Sequence, residues 1–284
     1  MNRSRKFESI FFESLMKISA VVIVAVLLYI IYTILVKGIP SLSWEMLTQK
    51  PSGGFYLGGE GGILNAIIGS VYLATGASVF ALVFSLPLVI YMNNYAKKDG
   101  AFVHLIRLTM DVLFGIPSIV YGTFGFVIML AFGWTVSLLS GIITVGIFVF
   151  PILVRSMDEV LRTVPPEVNQ AAYALGATKL ETSIYVSLRQ SIPGILAGFL
   201  LAFGRAIGDA ASVLFTTGFT DNIPTSLTQP AATLPLSIFF QLSSPFEVVR
   251  NRAYAAAVVL TVIILIISIL SRLIMKHFSK YVIK

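Results

Sequence analysis

Residues 105–154 read LIRLTMDVLFGIPSIVYGTFGFVIMLAFGWTVSLLSGIITVGIFVFPILV. As one helix this tract would reach about 75 Å at 1.5 Å per residue, more than twice the hydrocarbon thickness of a bilayer. It must therefore fold back, and the turn is expected at Gly133-Trp134-Thr135-Val136-Ser137. The tract then carries two membrane spans.

Four further apolar runs flank it: Ile18 to Val36, Ile63 to Tyr91, Ile192 to Phe215, and Tyr254 to Met275. Each is about long enough to cross a bilayer as a helix. The first follows Arg3, Arg5, Lys6 and Lys17, as a secretory signal would, but it is longer than an ordinary signal core. Lys37-Gly-Ile-Pro-Ser follows it without a small-residue cleavage site, so it reads as an uncleaved span. The expected fold is an all-α integral membrane protein of six transmembrane helices. Its parts are residues 1–62 (N-terminal segment, first span and extracytoplasmic loop), a transmembrane domain over 63–275 with a coupling segment at 156–191, and a basic tail at 276–284.

Composition agrees with this reading: 57% of the 284 residues are hydrophobic and 12% charged, and mean hydropathy is +0.91. The absence of cysteine excludes disulfides, thiolate metal sites and thiol catalysis. His104 and His277 lie far apart beside basic residues, so no metal site is expected. The net charge of +7 could suggest nucleic acid, but the basic residues sit at the ends of apolar runs rather than in a patch.

Their distribution orients the chain. On a six-span topology, fifteen of the twenty lysines and arginines fall on the side of the two termini, and Lys37, Lys50, Arg250 and Arg252 on the other. The positive-inside rule then makes the termini cytoplasmic. The remaining base is Arg205. It lies halfway along the fifth apolar run, in FGRAIGDAAS at residues 203–212.

A charge at mid-membrane costs about 2.5 to 3.5 kcal/mol on insertion scales and is functional by default. Asp209 follows Arg205 by four residues, which on a continuous helix places both on one face and allows an ion pair. Arginine suits an oxyanion because its guanidinium is always charged and presents a planar fork. The expected pathway residues are Arg205 and Asp209, with the carboxylate competing for the base when the anion leaves. The alternative is a salt bridge that only fixes helix packing. Gly194 and Gly198, and likewise Gly204 and Gly208, are small residues spaced to let helices approach. Asp111 reads as a capping or interfacial carboxylate, with a pathway role open.

Between the fourth and fifth spans the chain turns polar. Pro165, Pro166 and Glu167 suit a helix start, and Gly176 is placed to end it. Val168, Ala171, Ala172 and Leu175 form one apolar stripe. A second piece opens on Thr178-Lys-Leu-Glu181, a capping box. Two uses fit the stripe: a cover for the cytoplasmic ends of the spans, or docking into a groove of a partner. The glycine-rich stretch Gly53 to Gly62 lacks the spacing of either nucleotide-binding fingerprint and reads as a flexible outer loop. If ATP is used, another subunit must bind it.

Gln170-Ala171-Ala172-x-x-x-Gly176, followed by Val186-x-Leu188, resembles the EAA loop of ABC-importer permeases. Gln170 stands where that pattern has a glutamate and Arg189 where a proline is common; Glu167 supplies an acid one turn earlier. Gly115-Ile-Pro-Ser-Ile-Val-Tyr-Gly122, Gly194 to Arg205, Gly208-Asp209, and Gln229 to Phe239 with Ser244-Pro-Phe246 resemble the phosphate-specific ABC permeases; within that family the last of these and Gly62-Ile-Leu-Asn-Ala-Ile67 resemble the PstA-type more than the PstC-type subunits. The resemblance implies the type I importer permease fold, in which Glu167, Gln170, Ala171, Ala172 and Gly176 couple to an ATPase. It implies as partners a PstC-type permease subunit, two copies of a PstB-type ATPase and a PstS-type extracytoplasmic phosphate-binding protein. It implies no cofactor in this chain, ATP and Mg being used by the ATPase. The competing readings are a permease for another oxyanion (sulfate, molybdate, phosphonate) and an ion-coupled secondary anion carrier. No internal repeat supports the carrier.

Overall fold

The computed structural model describes residues 3–52, 60–97 and 100–278. Gly53 to Gly59 of the outer glycine stretch, Lys98, Lys280 and Lys284 lie outside the described residues.

In chain order the elements are α1 (Arg3–Gly38), α2 (Trp44–Thr48), a two-stranded antiparallel ladder of β1 (Pro51–Ser52) and β2 (Glu60–Gly61), and α3 (Leu64–Ile90). There follow α4 (Ala101–Gly115), α5 (Ser118–Ala131), α6 (Leu138–Arg162), α7 (Pro166–Ala174), α8 (Lys179–Glu181), α9 (Arg189–Gly208), α10 (Leu234–Leu242) and α11 (Glu247–Phe278). Two π-helical stretches extend this set: Tyr91–Tyr95 continues α3, and Thr182–Leu188 joins α8 to α9.

Among the described residues, five helices are long and apolar enough to cross a membrane, and α4 with α5 makes a sixth if the pair is one span. The chain does turn back between Phe132 and Ser137, where Gly133 adopts a positive φ of 68°. It also bends by 99° between α4 and α5, a break the hydropathy reading does not anticipate. The cause is Pro117, which fixes its own φ, lacks an N–H and drives the preceding residue out of the helical region. Ile116 accordingly sits at φ −74°, ψ 131°.

The core lies between α3 and α6. Ala74, Ala77 and Ala81 on α3 are fully buried against a row on α6 that includes Val145, Val149, Leu153 and Met157. Small side chains on one helix and branched ones on the other allow close approach without a hydrophobic drive from water. Gly194 and Gly198 bring α9 onto α6: a side chain at Gly198 would meet Ser156 Cβ at 3.0 Å, and one at Gly194 would meet Val160. Gly204 has nothing within 4 Å and Gly208 has only Ile264 at 3.7 Å, so the second glycine pair makes no close contact within the chain. Helix α1 is exposed over its apolar length and meets α11 at its outer end, where Gly38 rests on the Tyr254 carbonyl.

Two boundaries differ from the hydropathy reading. The second polar piece is continuous with the fifth span, giving a helix of 30 residues from Lys179 to Gly208. The span stops at Gly208 rather than running to Phe215. The chain from 219 to 252 is not one helix; it runs irregularly to Thr233 and then forms α10, with Pro235 in the first turn where its missing N–H is harmless. Residues 231–237 are buried against α3, and Ser70 Oγ accepts the Leu234 N–H at 2.7 Å.

Candidate functional site

Arg205 occupies the last turn of α9 and is exposed in the isolated chain. Its guanidinium carbon lies 5.2 Å from the centre of the Phe148 ring on α6, and the Tyr121 ring meets Phe148 edge-on at 5.5 Å. The aromatic face gives the cation an attractive floor, and the side chain is otherwise exposed.

Asp209 is not its ion-pair partner. The helix ends at Gly208, Asp209 adopts φ −86°, ψ 124°, and its Oδ2 accepts the Ser212 N–H at 2.8 Å. Once the backbone leaves the helical region, the four-residue spacing no longer puts the two side chains on one face. No salt bridge joins them among the described residues. The carboxylate instead organises the turn that begins the unwound stretch 209–217.

Irregular backbone inside a membrane persists only where protein satisfies it or it lines a wet cavity. Here the N-terminus of α6 and the buried segment before α10 supply partners: Ser137 N–H donates to the Thr216 carbonyl at 3.0 Å, and Ala231 N–H to the Thr217 carbonyl at 3.1 Å. Helix α5 covers the other side through Gly122, where a Cβ would lie 2.8 Å from the Ala211 carbonyl oxygen and 2.9 Å from that of Ser212. Arg205 is thus held at the edge of a buried helix break.

The coupling segment forms as its residues dictate. Pro165 is the N-cap of α7, Glu167 lies in the first turn, and Gly176 follows the helix at φ +88°. Thr178 and Glu181 complete a reciprocal capping box. No residue of α7 is buried, Gln170 and Ala171 are exposed, and Leu175 is 90% exposed. Ala171 and Leu175 of the stripe are therefore left uncovered by the chain's own spans, while Val168 and Ala172 are half-buried. What ties α7 to the bundle is polar: Ser187 Oγ donates to Asn169 Oδ1 at 3.0 Å and accepts from Asn94 Nδ2 at 3.2 Å. Ser187 and Asn94 sit on the two π-helical stretches, a local irregularity frequent at functional positions.

A model of the family described as binding-protein-dependent transport system inner membrane component matches residues 85–284. The chain belongs to this family. Among relatives of this permease, the phosphate transport system permease protein PstA of Yersinia pestis is 34% identical over 253 residues, covering 87% of this chain and 83% of the relative. The protein of the same description from Haemophilus influenzae is 30% identical over 256 residues, covering 88% of each. In fold the permease is similar to an inward-facing structure of the MetNI methionine ABC transporter, with a TM-score of 0.62 at 16% identity over 76% of this chain and 95% of that one. An amino acid ABC transporter crystallised with histidines gives 0.55 at 17% identity, covering 76% and 93%. The architecture is thus that of type I ABC importer permeases. The matched region contains the helix break and α7, whereas α1, α2 and most of α3 precede it.

The permease holds a polar centre that sequence reasoning missed. Asp158 on α6 is buried and accepts from Arg107 Nε at 2.9 Å, Arg107 Nη2 at 3.1 Å and Asn93 Nδ2 at 2.8 Å. Arg107 counted only as one of the cytoplasmic-side bases, although it lies within α4 and binds α6. Asp111 is likewise no cap: it lies inside α4 and its Oδ1 meets Arg155 Nη1 of α6 at 3.1 Å. A signal was present in α6, where Arg155, Asp158, Glu159 and Arg162 crowd the end of an otherwise apolar helix. Their partners could not be read without the tertiary fold.

Proposed function

We propose that the chain is the transmembrane subunit of an ATP-driven importer that moves inorganic phosphate across the plasma membrane, with both termini cytoplasmic. The observation that carries the reading is Arg205, the base outside the topology signal in the sequence, lying exposed on an aromatic floor in the last turn of α9 beside a helix break. A dehydrating oxyanion meets a permanent bidentate cation there. Single-point binding of this kind is weak enough to permit release. Phosphate itself comes from the names of the relatives.

The exposed stripe of α7 supports docking to a separate ATPase. Glu167, Gln170 and Ala171 are exposed and Ala172 half-buried on a helix that a polar tether joins to the bundle, and Gly176 ends it at positive φ. Two ATPase copies, a homologous permease subunit and an extracytoplasmic phosphate-binding protein complete the machine in this reading. ATP and Mg act in the ATPase, and this chain performs no covalent chemistry.

The test is uptake of labelled phosphate by the reconstituted complex, with sulfate and molybdate in competition. Expected is ATP-dependent phosphate uptake that is lost in Arg205→Ala. Stronger competition by sulfate or molybdate than by unlabelled phosphate would assign the permease to another oxyanion. Uptake by this chain alone without ATP would make it an ion-coupled carrier.

A further inference from the structure

Below Arg205 the structure carries a second arginine station. Phe148, Arg155 and Arg162 recur every seven residues on α6. Seven residues are nearly two turns, so the three share one line along the helix, each about 10.5 Å beyond the last. Arg205 lies over Phe148, the first of them. Arg155 and Arg162 then line a cleft of about 260 Å³ between α4 and α6, together with Arg107, Asp111, Asp158 and Glu159. That volume holds a small oxyanion and several waters.

The arginines of this cleft are not equivalent. Arg107 places two nitrogens on buried Asp158, which Asn93 also holds, so that pair is a closed structural lock across α3, α4 and α6. Arg155 makes one contact with Asp111, and the two side chains are 58% and 56% exposed. Its guanidinium carbon lies 5.7 Å from the Phe114 ring, an aromatic support like that beneath Arg205. An exposed single-contact pair contributes little and exchanges partners readily.

We propose that this cleft is an inner oxyanion subsite, in which Arg155 receives the anion passed on from Arg205 and Asp111 competes for the same fork. The inference rests on the reading of the chain as a phosphate permease. Three arginines face three carboxylates here, so the empty cleft is neutral. An arriving anion displaces the Asp111 carboxylate from Arg155, and the return of that carboxylate drives the anion out toward the cytoplasm. A neutral cleft with an exchangeable pair is what a release station requires, since a strongly positive one would retain the ion. The role that the sequence suggested for Asp209 toward Arg205 falls instead to Asp111 toward Arg155.

The test uses the complete transporter in vesicles loaded with ATP and increasing unlabelled phosphate, so that the cytoplasmic mouth faces the lumen. Uptake of labelled phosphate is followed together with ATP hydrolysis. Expected is that Asp111→Asn lowers the lumenal phosphate concentration that halves uptake by about twofold to fivefold, the change one exposed ion pair brings. Arg155→Gln should raise that concentration by a similar factor, and Arg155→Lys should fall between it and the wild type. Equal half-inhibiting concentrations in the wild type, Asp111→Asn and Arg155→Gln would overturn the proposal. So would lumenal chloride inhibiting as strongly as phosphate. A wild-type complex that takes up no phosphate with ATP would instead overturn the permease reading on which the proposal rests.

Discussion

The guanidinium of Arg205 on α9 lies over the ring of Phe148 on α6, 5.2 Å from carbon to centroid, at the point where α9 stops. Two helices and a chain break therefore define where the base sits. A flexible arginine on an uninterrupted helix would have no such fixed position.

The first prediction concerns that floor. A cation–π contact to an exposed cation contributes about 0.5 to 1 kcal/mol. Phe148→Leu removes it while keeping an apolar side chain at a buried position. Phosphate uptake should fall by about twofold to fivefold with ATP hydrolysis retained, whereas Arg205→Lys should cost more because the fork is lost. Uptake kinetics at a fixed amount of assembled complex measure both.

The second concerns Asp209, whose carboxylate caps a turn rather than pairing with Arg205. Asp209→Asn retains an acceptor for the Ser212 N–H and should transport near the wild-type rate. Asp209→Ala should destabilise the break by about 1 kcal/mol. Thermal melting in detergent distinguishes the two variants. A large transport defect in Asp209→Asn, with melting unchanged, would show that the negative charge itself matters.

Much of this architecture is legible in the sequence because bilayer physics simplifies the code. A run of about 20 apolar residues can do little but span, and the caps of α7 and α8 are local chemistry written in Pro165, Gly176, Thr178 and Glu181. Arg205 stands out for the same reason. What hydropathy cannot show is a helix that ends inside an apolar run: Ala210 to Phe215 are as apolar as the span before them, and only the tertiary partners Ser137, Ala231 and Gly122 make unwinding affordable. The Arg107–Asp158 lock is hidden differently. Its members are 51 residues apart, and nothing local marks one as the partner of the other.

That lock yields the third prediction. Breaking a buried ion pair by removing one partner is destabilising by about 3 to 5 kcal/mol, because the other charge is left uncompensated. Asp158→Ala should therefore lower the melting temperature strongly. The double variant Arg107→Met with Asp158→Leu should recover most of the loss, since apolar residues of similar size replace the pair without stranded charge. If Asp158→Ala and Arg107→Met alone both melt like the wild type, the pair is not closed in the working protein.

The fourth follows from the tether of α7. Ser187 is 2% exposed, bonds Asn169 on one side and Asn94 on the other, and Asn93 next to Asn94 reaches the Asp158 centre. Displacement of α7 thus has a polar route to the Arg107–Asp158 centre, where α3, α4 and α6 meet. Removing one hydrogen bond of such a chain should loosen transmission without stopping either end from working. Asn94→Ala removes one of these hydrogen bonds and should raise the ATP hydrolysed per phosphate transported by about threefold to tenfold, and Ser187→Ala, which removes both, by at least as much. The double variant should be no worse than the more severe single one, because residues in one chain are not additive. A merely structural bond would lower the yield of assembled complex and leave that ratio unchanged; measuring hydrolysis and uptake on the same vesicles separates the two.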